Sequence, residues 1–288
     1  MPQPTPNVPL PTPPKRHATT SILVVPFLFV LVTFLFWYQT WFGRRLSNRE
    51  MQQYLTNTSV PHKTQHALAQ MADRMARGDT QVRRWYPQVL TLSRSQEPLF
   101  RLTAAWVMGQ DATSDAFHTA LLGMLQDPDV RVEWNAALAL VRFKDASGDS
   151  QLRQMLSSYP FSATESGVVT FKLKPRETCR AGAVLAHILP VRGAPFEVRS
   201  PVDGTLEGWD VQDGDAVAGG QPLGRVSPGE NQVWEALRAL YMLGGAQDLE
   251  AVEKFTRGGE GVSPRVKQQA EITARAIHNR MDKKEAPA

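Results

Sequence analysis

The chain has little cysteine and lacks the sequence patterns that are common at catalytic sites. Of its 288 residues one is a cysteine, Cys179, which excludes an internal disulfide and leaves the redox compartment open. Gly-x-Ser-x-Gly, His-Glu-x-x-His, Cys-x-x-Cys and the phosphate-binding loop are all missing. We therefore expect a protein that is not an enzyme and has no catalytic, cofactor-binding or metal-binding residues.

The net charge is also small. The formal net charge is +4 and the basic residues are scattered, so the composition does not favour nucleic acid as a partner. The first 14 residues contain seven prolines and no charged side chain, which predicts a disordered, proline-rich tail over 1–20. A ligand for a proline-recognising groove is the alternative reading of this tail.

No charged residue occurs from Ala18 to Gly43. The apolar run is about as long as a helix must be to cross the roughly 30 Å hydrocarbon core, and it predicts a single transmembrane helix over 21–42. A cleaved signal peptide is the competing interpretation, but no Ala-x-Ala-like site follows the run. We expect an inner-membrane, single-pass protein. Flanking arginines leave the orientation open, and analogy with other anchored proteins favours periplasmic C-terminal domains.

After the apolar run, the sequence shows helical periodicity over 47–158. The segments from Gln96 and from Gln126 begin with Gln, an acidic residue and Pro, carry Arg five residues after the Gln, and each precedes an alanine-rich helix. The sequence Asp-Pro-Asp-Val-Arg at 127–131 resembles the HEAT-repeat family. In that family paired helices stack into a solenoid. We expect Asp127 to cap the helix and Pro128 to occupy its first position.

A strand-and-turn pattern interrupts the helices over 161–228. Its second half contains Pro201-Val202-Asp203-Gly204, then Gly-Asp and Gly-Gln turns, and 167–188 repeats this spacing in weaker form. The pattern resembles the biotinyl/lipoyl carrier family, which implies a small β domain, a flattened barrel of two duplicated halves with Cys179 buried on a strand. The family's acceptor lysine would fall at about Gly193, where no lysine occurs. The domain therefore resembles the lysine-free form found in membrane-fusion adaptors.

Helical patterning resumes over 230–281 and is followed by a short tail, 282–288, that we expect to be disordered. Cutting out 161–228 brings the helix pairs on either side to about the repeat spacing. The predicted fold class is thus α+β: one N-terminal transmembrane helix, then a HEAT-like solenoid interrupted by an all-β lipoyl-like domain.

For three groups of residues the sequence allows either a binding role or a purely structural role. His62 and His66 are one turn apart and could bind a metal, although no third ligand is evident. The segment 83–86, Arg-Arg-Trp-Tyr, could contact phosphates or lipid headgroups, but rings at helical spacing favour packing. The acids Asp203, Asp210, Asp213 and Asp215 could suggest calcium, yet the turns explain them.

The leading functional hypothesis is a non-enzymatic, membrane-anchored scaffold that binds an unidentified protein, for example a transporter or envelope complex. The alternative is a periplasmic, membrane-fusion-like adaptor of a transport or secretion system. Such an adaptor would carry a long helical hairpin between the β halves, which this sequence lacks. A cofactor carrier or enzyme is the third hypothesis, opposed by the missing lysine.

Overall fold

The computed structural model describes residues 27–34, 44–259 and 261–285. The chain divides into two compact units, 1–47 and 48–288. In the first unit a helix covers 27–34. The second unit holds the remaining described helices and all the described strands.

The prediction of a transmembrane helix over 21–42 is corrected. Among the described residues, no helix combines the length and the apolar character that crossing a membrane requires. Eight residues of the predicted span, 27–34, are helical, and the others lie outside the described residues, as does the predicted tail over 1–20. The inner-membrane location, the periplasmic placement and the membrane as a partner all depended on this span, and they are withdrawn with it.

Helices form the N-terminal part of the second unit, where a helical hairpin is the recurring element. The helices are α1 (Asn48–Thr56), α2 (Pro61–Ala76), α3 (Tyr86–Leu92), α4 (Pro98–Met108), α5 (Asp115–Met124), α6 (Val130–Arg142) and α7 (Asp149–Gln154). A 3-10 helix at Thr80–Trp85 precedes α3.

Eight strands and three further helices follow α7. The strands are β1 (Tyr159–Ser162), β2 (Gly167–Phe171), β3 (Thr178–Cys179), β4 (Val184–Leu189), β5 (Phe196–Arg199), β6 (Gly204–Trp209), β7 (Ala216–Val217) and β8 (Pro222–Pro228). The helices are α8 (Glu230–Leu243), α9 (Leu249–Thr256) and α10 (Pro264–Glu285), with a 3-10 turn at Ala246–Asp248 between α8 and α9. Helix α10 thus includes the first residues of the segment 282–288 that was expected to be a disordered tail.

The helices stack in two layers. In one layer α2, α4, α6, α8 and α10 pack against each other in series, and in the other α3, α5, α7 and α9 each contact a helix of the first. Helix α6 contacts α8 directly although the strands lie between them in sequence. The solenoid is therefore continuous through the position at which the strands are inserted.

The strands form two four-stranded antiparallel sheets, ordered β1-β8-β6-β3 and β5-β4-β2-β7. Within 159–228, all of which the structure describes, the outer strands of each sheet pair on one side only, so the β unit does not close into the predicted flattened barrel. The two sheets are related by internal duplication: exchanging β1 with β5, β2 with β6, β3 with β7 and β4 with β8 converts one order into the other.

Two glycines of the β unit allow neighbouring strands to approach closely. A Cβ atom at Gly204 would collide with the backbone oxygen of Ser227, and one at Gly167 with that of Leu189. These two glycines begin β6 and β2, the equivalent strands of the two halves. The prediction that Cys179 is buried is confirmed.

The start of α6 differs from the sequence-based expectation. Asp129, rather than Asp127, is the N-cap, and its side chain accepts a hydrogen bond from the backbone N–H of Arg131. Pro128 therefore lies outside the helix, whereas Pro98 does occupy the first turn of α4. Asp127 instead accepts two hydrogen bonds from Arg101, at 2.7 and 2.8 Å, and so links consecutive helix pairs.

Candidate protein-binding groove

The stacked helices of the first layer have a common register. The residues that precede α4, α6, α8 and α10 are Glu97, Asp129, Gly229 and Ser263. Counting nine residues from each gives a line of side chains across four helices, here called the central row: Trp106, Leu138, Arg238 and Ile272. Counting thirteen from the first three gives a parallel second row: Gln110, Arg142 and Met242. Both rows line one groove.

The opposite face of each helix is buried between the layers, which is why these rows point outward. The buried residues follow helical periodicity, as in Ala104, Ala105 and Met108 of α4 and Ala136, Ala137 and Leu140 of α6. Helices α4 and α6 approach closely, since a Cβ at Gly109 would lie 2.9 Å from that of Ala139. Because the helices pack this closely, the outward-facing residues of adjacent helices can contact the same ligand.

The groove has a volume of about 810 Å³ and large apolar side chains at its surface. Trp106, Tyr241 and Met242 are 44%, 46% and 56% exposed. Single exposed apolar residues are ordinary, but a group from neighbouring helices in one concavity is typical of an interaction site.

Arginines surround these apolar side chains. Arg142 donates a hydrogen bond to the Gln110 side chain across the α4–α6 boundary at 3.1 Å. Arg238 lies 3.8 Å from Glu235, and both are about half exposed. Arg238 and Arg265 also stack on the Trp234 ring, with guanidinium carbons 4.5 and 3.7 Å from its centroid.

The end of α8 that bears Tyr241 and Met242 is fixed from α10. Arg280 donates hydrogen bonds to the backbone oxygens of Leu240, Tyr241 and Gly244 at 2.8 to 3.0 Å. Carbonyl oxygens at a helix C-terminus carry partial negative charge, so a cation there is favourable. Of these three, the Leu240 oxygen also accepts the Gly244 backbone N–H. The groove surface is thus held by contacts that do not involve its exposed side chains.

A second concavity lies between α3 and α5 and has a volume of about 760 Å³. Its α5 wall consists mainly of small side chains, Ala116, Thr119, Ala120 and Gly123, with Asp115 and Met124 at the two ends of the helix. One arginine of its lining, Arg101, is already paired with Asp127. Because it offers no exposed aromatic side chain, this concavity is the weaker candidate for a binding surface.

The two rings of the segment 83–86 pack against the rest of the protein, whereas its two arginines are exposed. Trp85 is 1% exposed, and the guanidinium carbons of Arg74 and Arg84 each lie 4.9 Å from its ring centroid. Tyr86 donates a hydrogen bond to Asp111 at 2.6 Å. The packing interpretation of this segment is therefore confirmed.

The other candidate residues form no metal centre within the described ranges, where no group of three or more metal-ligating side chains occurs. His62 is exposed on α2, and the Nε2 atom of His66 lies 2.8 Å from the side-chain nitrogen of Gln70. The carboxylates of Asp203, Asp213 and Asp215 accept backbone N–H hydrogen bonds from Ala181, Phe171 and Gln212, which gives these acids a role in the turns.

The Tyr86–Asp111 bond gives a testable prediction. We expect Tyr86→Phe to lower the free energy of unfolding at neutral pH by about 1 to 2 kcal/mol, because the partly buried carboxylate of Asp111 loses a donor. Urea unfolding measures the change. The matched control is Tyr241→Phe, an exposed tyrosine, which should change stability by less than about 0.5 kcal/mol. Equal effects of the two substitutions would contradict the assignment.

The same pair predicts a pH dependence. Burial opposes ionisation of Asp111, but hydrogen bonds from Thr113 and Tyr86 outweigh it and hold the pKa below the ordinary value. A lowered pKa contributes stability that is present above the unfolded pKa of about 3.9 and is lost as the pH falls further. Burial and Asp111 raise the pKa of Tyr86, so its contribution is present below about pH 10 and is lost above it. Tyr86→Phe should flatten both limbs of the stability profile.

Comparison with known proteins supports the helical part of the assignment. A family described as HEAT repeats matches residues 86–165, which include α3 to α7 and β1. The predicted HEAT-like character is confirmed over these residues, and repeats of this class generally act by protein–protein interaction. No curated protein matches the chain.

Sequence reasoning missed the groove itself. It treated the repeats as a solenoid but singled out neither Trp106 nor Met242 as a surface residue. A signal was present, because Trp106 lies on the polar side of an otherwise apolar, alanine-rich helix and Gln110 follows one turn later, just past the helix end. The same position recurs in α8, but finding it requires knowing how many residues the inserted strands occupy.

Proposed function

We propose that this protein is a non-enzymatic scaffold that binds a protein partner in the groove across α4, α6, α8 and α10. The observation that carries the proposal is the alignment of exposed apolar side chains and arginines across four helices that pack in series. Large rings and arginines in a concavity are the groups that dominate protein interfaces.

Site-specific photocrosslinking tests the proposal. A photoreactive phenylalanine analogue at position 106 or 242 of the full chain should capture one defined protein in the native cell. The same analogue at Glu250, an exposed residue of α9 outside the groove, should not. Equal capture at all three positions, or none at the groove positions, would contradict the proposal.

Substitution within the groove gives the matching prediction. With the captured protein in hand, Trp106→Ala should weaken its binding about tenfold or more, since a central aromatic side chain is lost from an interface. Isothermal titration measures the change, and Val168→Ala, which alters an exposed apolar residue of the β unit, is the control. An unchanged affinity for Trp106→Ala would place the interface elsewhere.

For the β unit we propose a relationship to the biotinyl/lipoyl fold in a form that carries no cofactor. The duplicated two-sheet topology supports the relationship, and Arg192-Gly193 at the hairpin between the halves supports the missing attachment. Its role would be structural, at the α7–α8 boundary, where Trp134 of α6 contacts Tyr159 of β1 with ring centroids 5.9 Å apart. The intact mass of protein purified from its native cell should equal that of the polypeptide; an added biotinyl or lipoyl mass would refute the proposal.

A further inference from the structure

The charges of the groove are unbalanced. Its lining contains Arg142 and Arg238 against one acidic residue, Glu235, and Arg265 adjoins it through the shared Trp234 ring. The lining itself carries a charge of 2 − 1 = +1, and the adjoining Arg265 brings this side of the helices to +2, whereas the whole chain of 288 residues carries +4. The groove is therefore a local positive region.

The arginines are held in place before any partner arrives. Arg238 and Arg265 stack on Trp234, and Arg142 is oriented by Gln110. A stacked guanidinium keeps its N–H groups at the ring edge, where they can donate two parallel hydrogen bonds to a carboxylate. The Arg238–Glu235 contact, at 3.8 Å between exposed groups, is long and weak and leaves Arg238 available to a second carboxylate.

Apolar neighbours strengthen the attraction for a carboxylate. Arg238 lies in the central row between Leu138 and Ile272, and Arg142 lies in the second row beside Met242. A bound segment that covers these side chains also removes water from the guanidinium groups, and an ion pair is stronger where water is excluded. The surface thus selects for acidic groups next to apolar ones.

The spacing of the rows fits a helix better than a strand. Packed helices lie about 8 to 10 Å apart, so adjacent members of the central row are separated by about that distance. Side chains seven positions apart on a helix are about 10.5 Å apart, whereas alternate residues of a strand are about 6.6 Å apart. A helix of about 20 residues spans 30 Å, the approximate width of four stacked helices.

We infer that the groove binds an acidic amphipathic helix, whose carboxylates pair with Arg142 and Arg238 while its apolar side chains contact Trp106, Met242 and Ile272. This inference rests on the proposed function and adds the chemistry of the partner. The binding energy comes from the apolar contacts, and the arginines discriminate against neutral and basic helices.

Three synthetic peptides test the inference on the full chain. Each has about 20 residues and the same leucines at seven-residue intervals, with a polar face of Glu, Gln or Lys. Fluorescence anisotropy should show the Glu peptide binding about tenfold or more tightly than the Gln peptide, and the Lys peptide most weakly. Raising the salt from about 50 to 300 mM should reduce the preference.

Substitutions connect the preference to the named residues. Arg142→Gln with Arg238→Gln should reduce the affinity for the Glu peptide to that for the Gln peptide and remove the salt dependence. The matched control is Arg225→Gln, an exposed arginine of β8 outside the groove, which should change neither. Circular dichroism should show the same helix content and unfolding midpoint for all variants.

The outcomes separate this inference from the proposed function. Equal binding of the Glu and Gln peptides, with both weakened by Trp106→Ala, would overturn the acidic partner and leave the groove as a binding surface. Failure of all three peptides to bind would overturn the inference as well. Absence of photocrosslinking at positions 106 and 242 would overturn the proposed function, whichever peptide bound best.

Discussion

Asp248→Ala is expected to lower the free energy of unfolding by about 3 kcal/mol, because it breaks a buried ion pair at the junction between the solenoid halves. Asp248 is fully buried. It accepts hydrogen bonds from the Arg153 side chain at 2.6 Å and from the backbone N–H of Gly245 at 2.7 Å. Arg153 belongs to α7, before the strands, and Asp248 follows α8, after them.

The position of this pair makes the expected loss large. Arg153 and Asp248 are 95 residues apart in sequence, and the α7–α8 boundary that they connect is where the strands are inserted. Removing the carboxylate leaves the Gly245 N–H and the guanidinium without their acceptor. The Arg153 side chain is 34% exposed, so water recovers part of the loss and the expected cost is placed at the low end for buried pairs, about 3 kcal/mol.

Urea unfolding with two further variants tests the assignment. Asp248→Asn retains an acceptor for Gly245 but loses the charge, and should cost less, about 1 to 2 kcal/mol. Glu250→Ala, an exposed acid two residues away, should cost less than about 0.5 kcal/mol. If Asp248→Ala were no more destabilising than Glu250→Ala, the pair would not hold the two halves together.

The helix content was predictable from sequence because alanine-rich apolar periodicity is a local signal. The cap of α6 was not, because 127–129 offers two aspartates that could each accept the first N–H hydrogen bond. Tertiary contact decides between them: Arg101 of the previous repeat binds Asp127 and leaves Asp129 to cap. Local propensity alone contains no information about that arginine.

The groove could not be predicted from the sequence, for a related reason. When the two repeats are aligned by their Gln-acid-Pro motifs, the offset between them is 30 residues. This offset aligns Trp106 with the buried Ala136. The helices themselves repeat after 129 − 97 = 32 residues, which aligns Trp106 with Leu138. A difference of two residues rotates a helix by about 200° and exchanges its surface for its core. Helix packing sets this register, and the motif does not.

The register across the strands leads to the second large expected effect. The residues preceding α6 and α8, Asp129 and Gly229, are 100 positions apart, and 161–228 contains 68 residues. Subtracting these leaves 100 − 68 = 32, the same spacing as between α4 and α6. The insertion has therefore kept the helices before and after it in repeat register.

Replacing 160–227 with Gly-Gly should yield a folded solenoid. The change gives a spacing of 100 − 68 + 2 = 34 residues, equal to the 263 − 229 = 34 between the starts of α8 and α10. Antiparallel pairing of Tyr159 with Val226 shows that the two ends of the insertion lie side by side, at about 5 Å. Tyr159 is retained because its ring covers Trp134.

The deletion variant should lose the β-sheet signal in circular dichroism, keep the helical signal, and unfold in one cooperative transition. We expect a stability loss of about 1 to 2 kcal/mol, since among the contacts removed is the Ser158–Glu207 hydrogen bond. Binding of the Glu peptide should change less than about twofold, because the groove lies on α4, α6, α8 and α10. In a second variant an eight-residue Gly-Ser linker replaces 160–227. This variant shows whether a defect of the Gly-Gly variant comes from strain in its short connection or from loss of the fold. If both variants were molten, the solenoid would depend on the β unit for its folding and would not be a continuous stack.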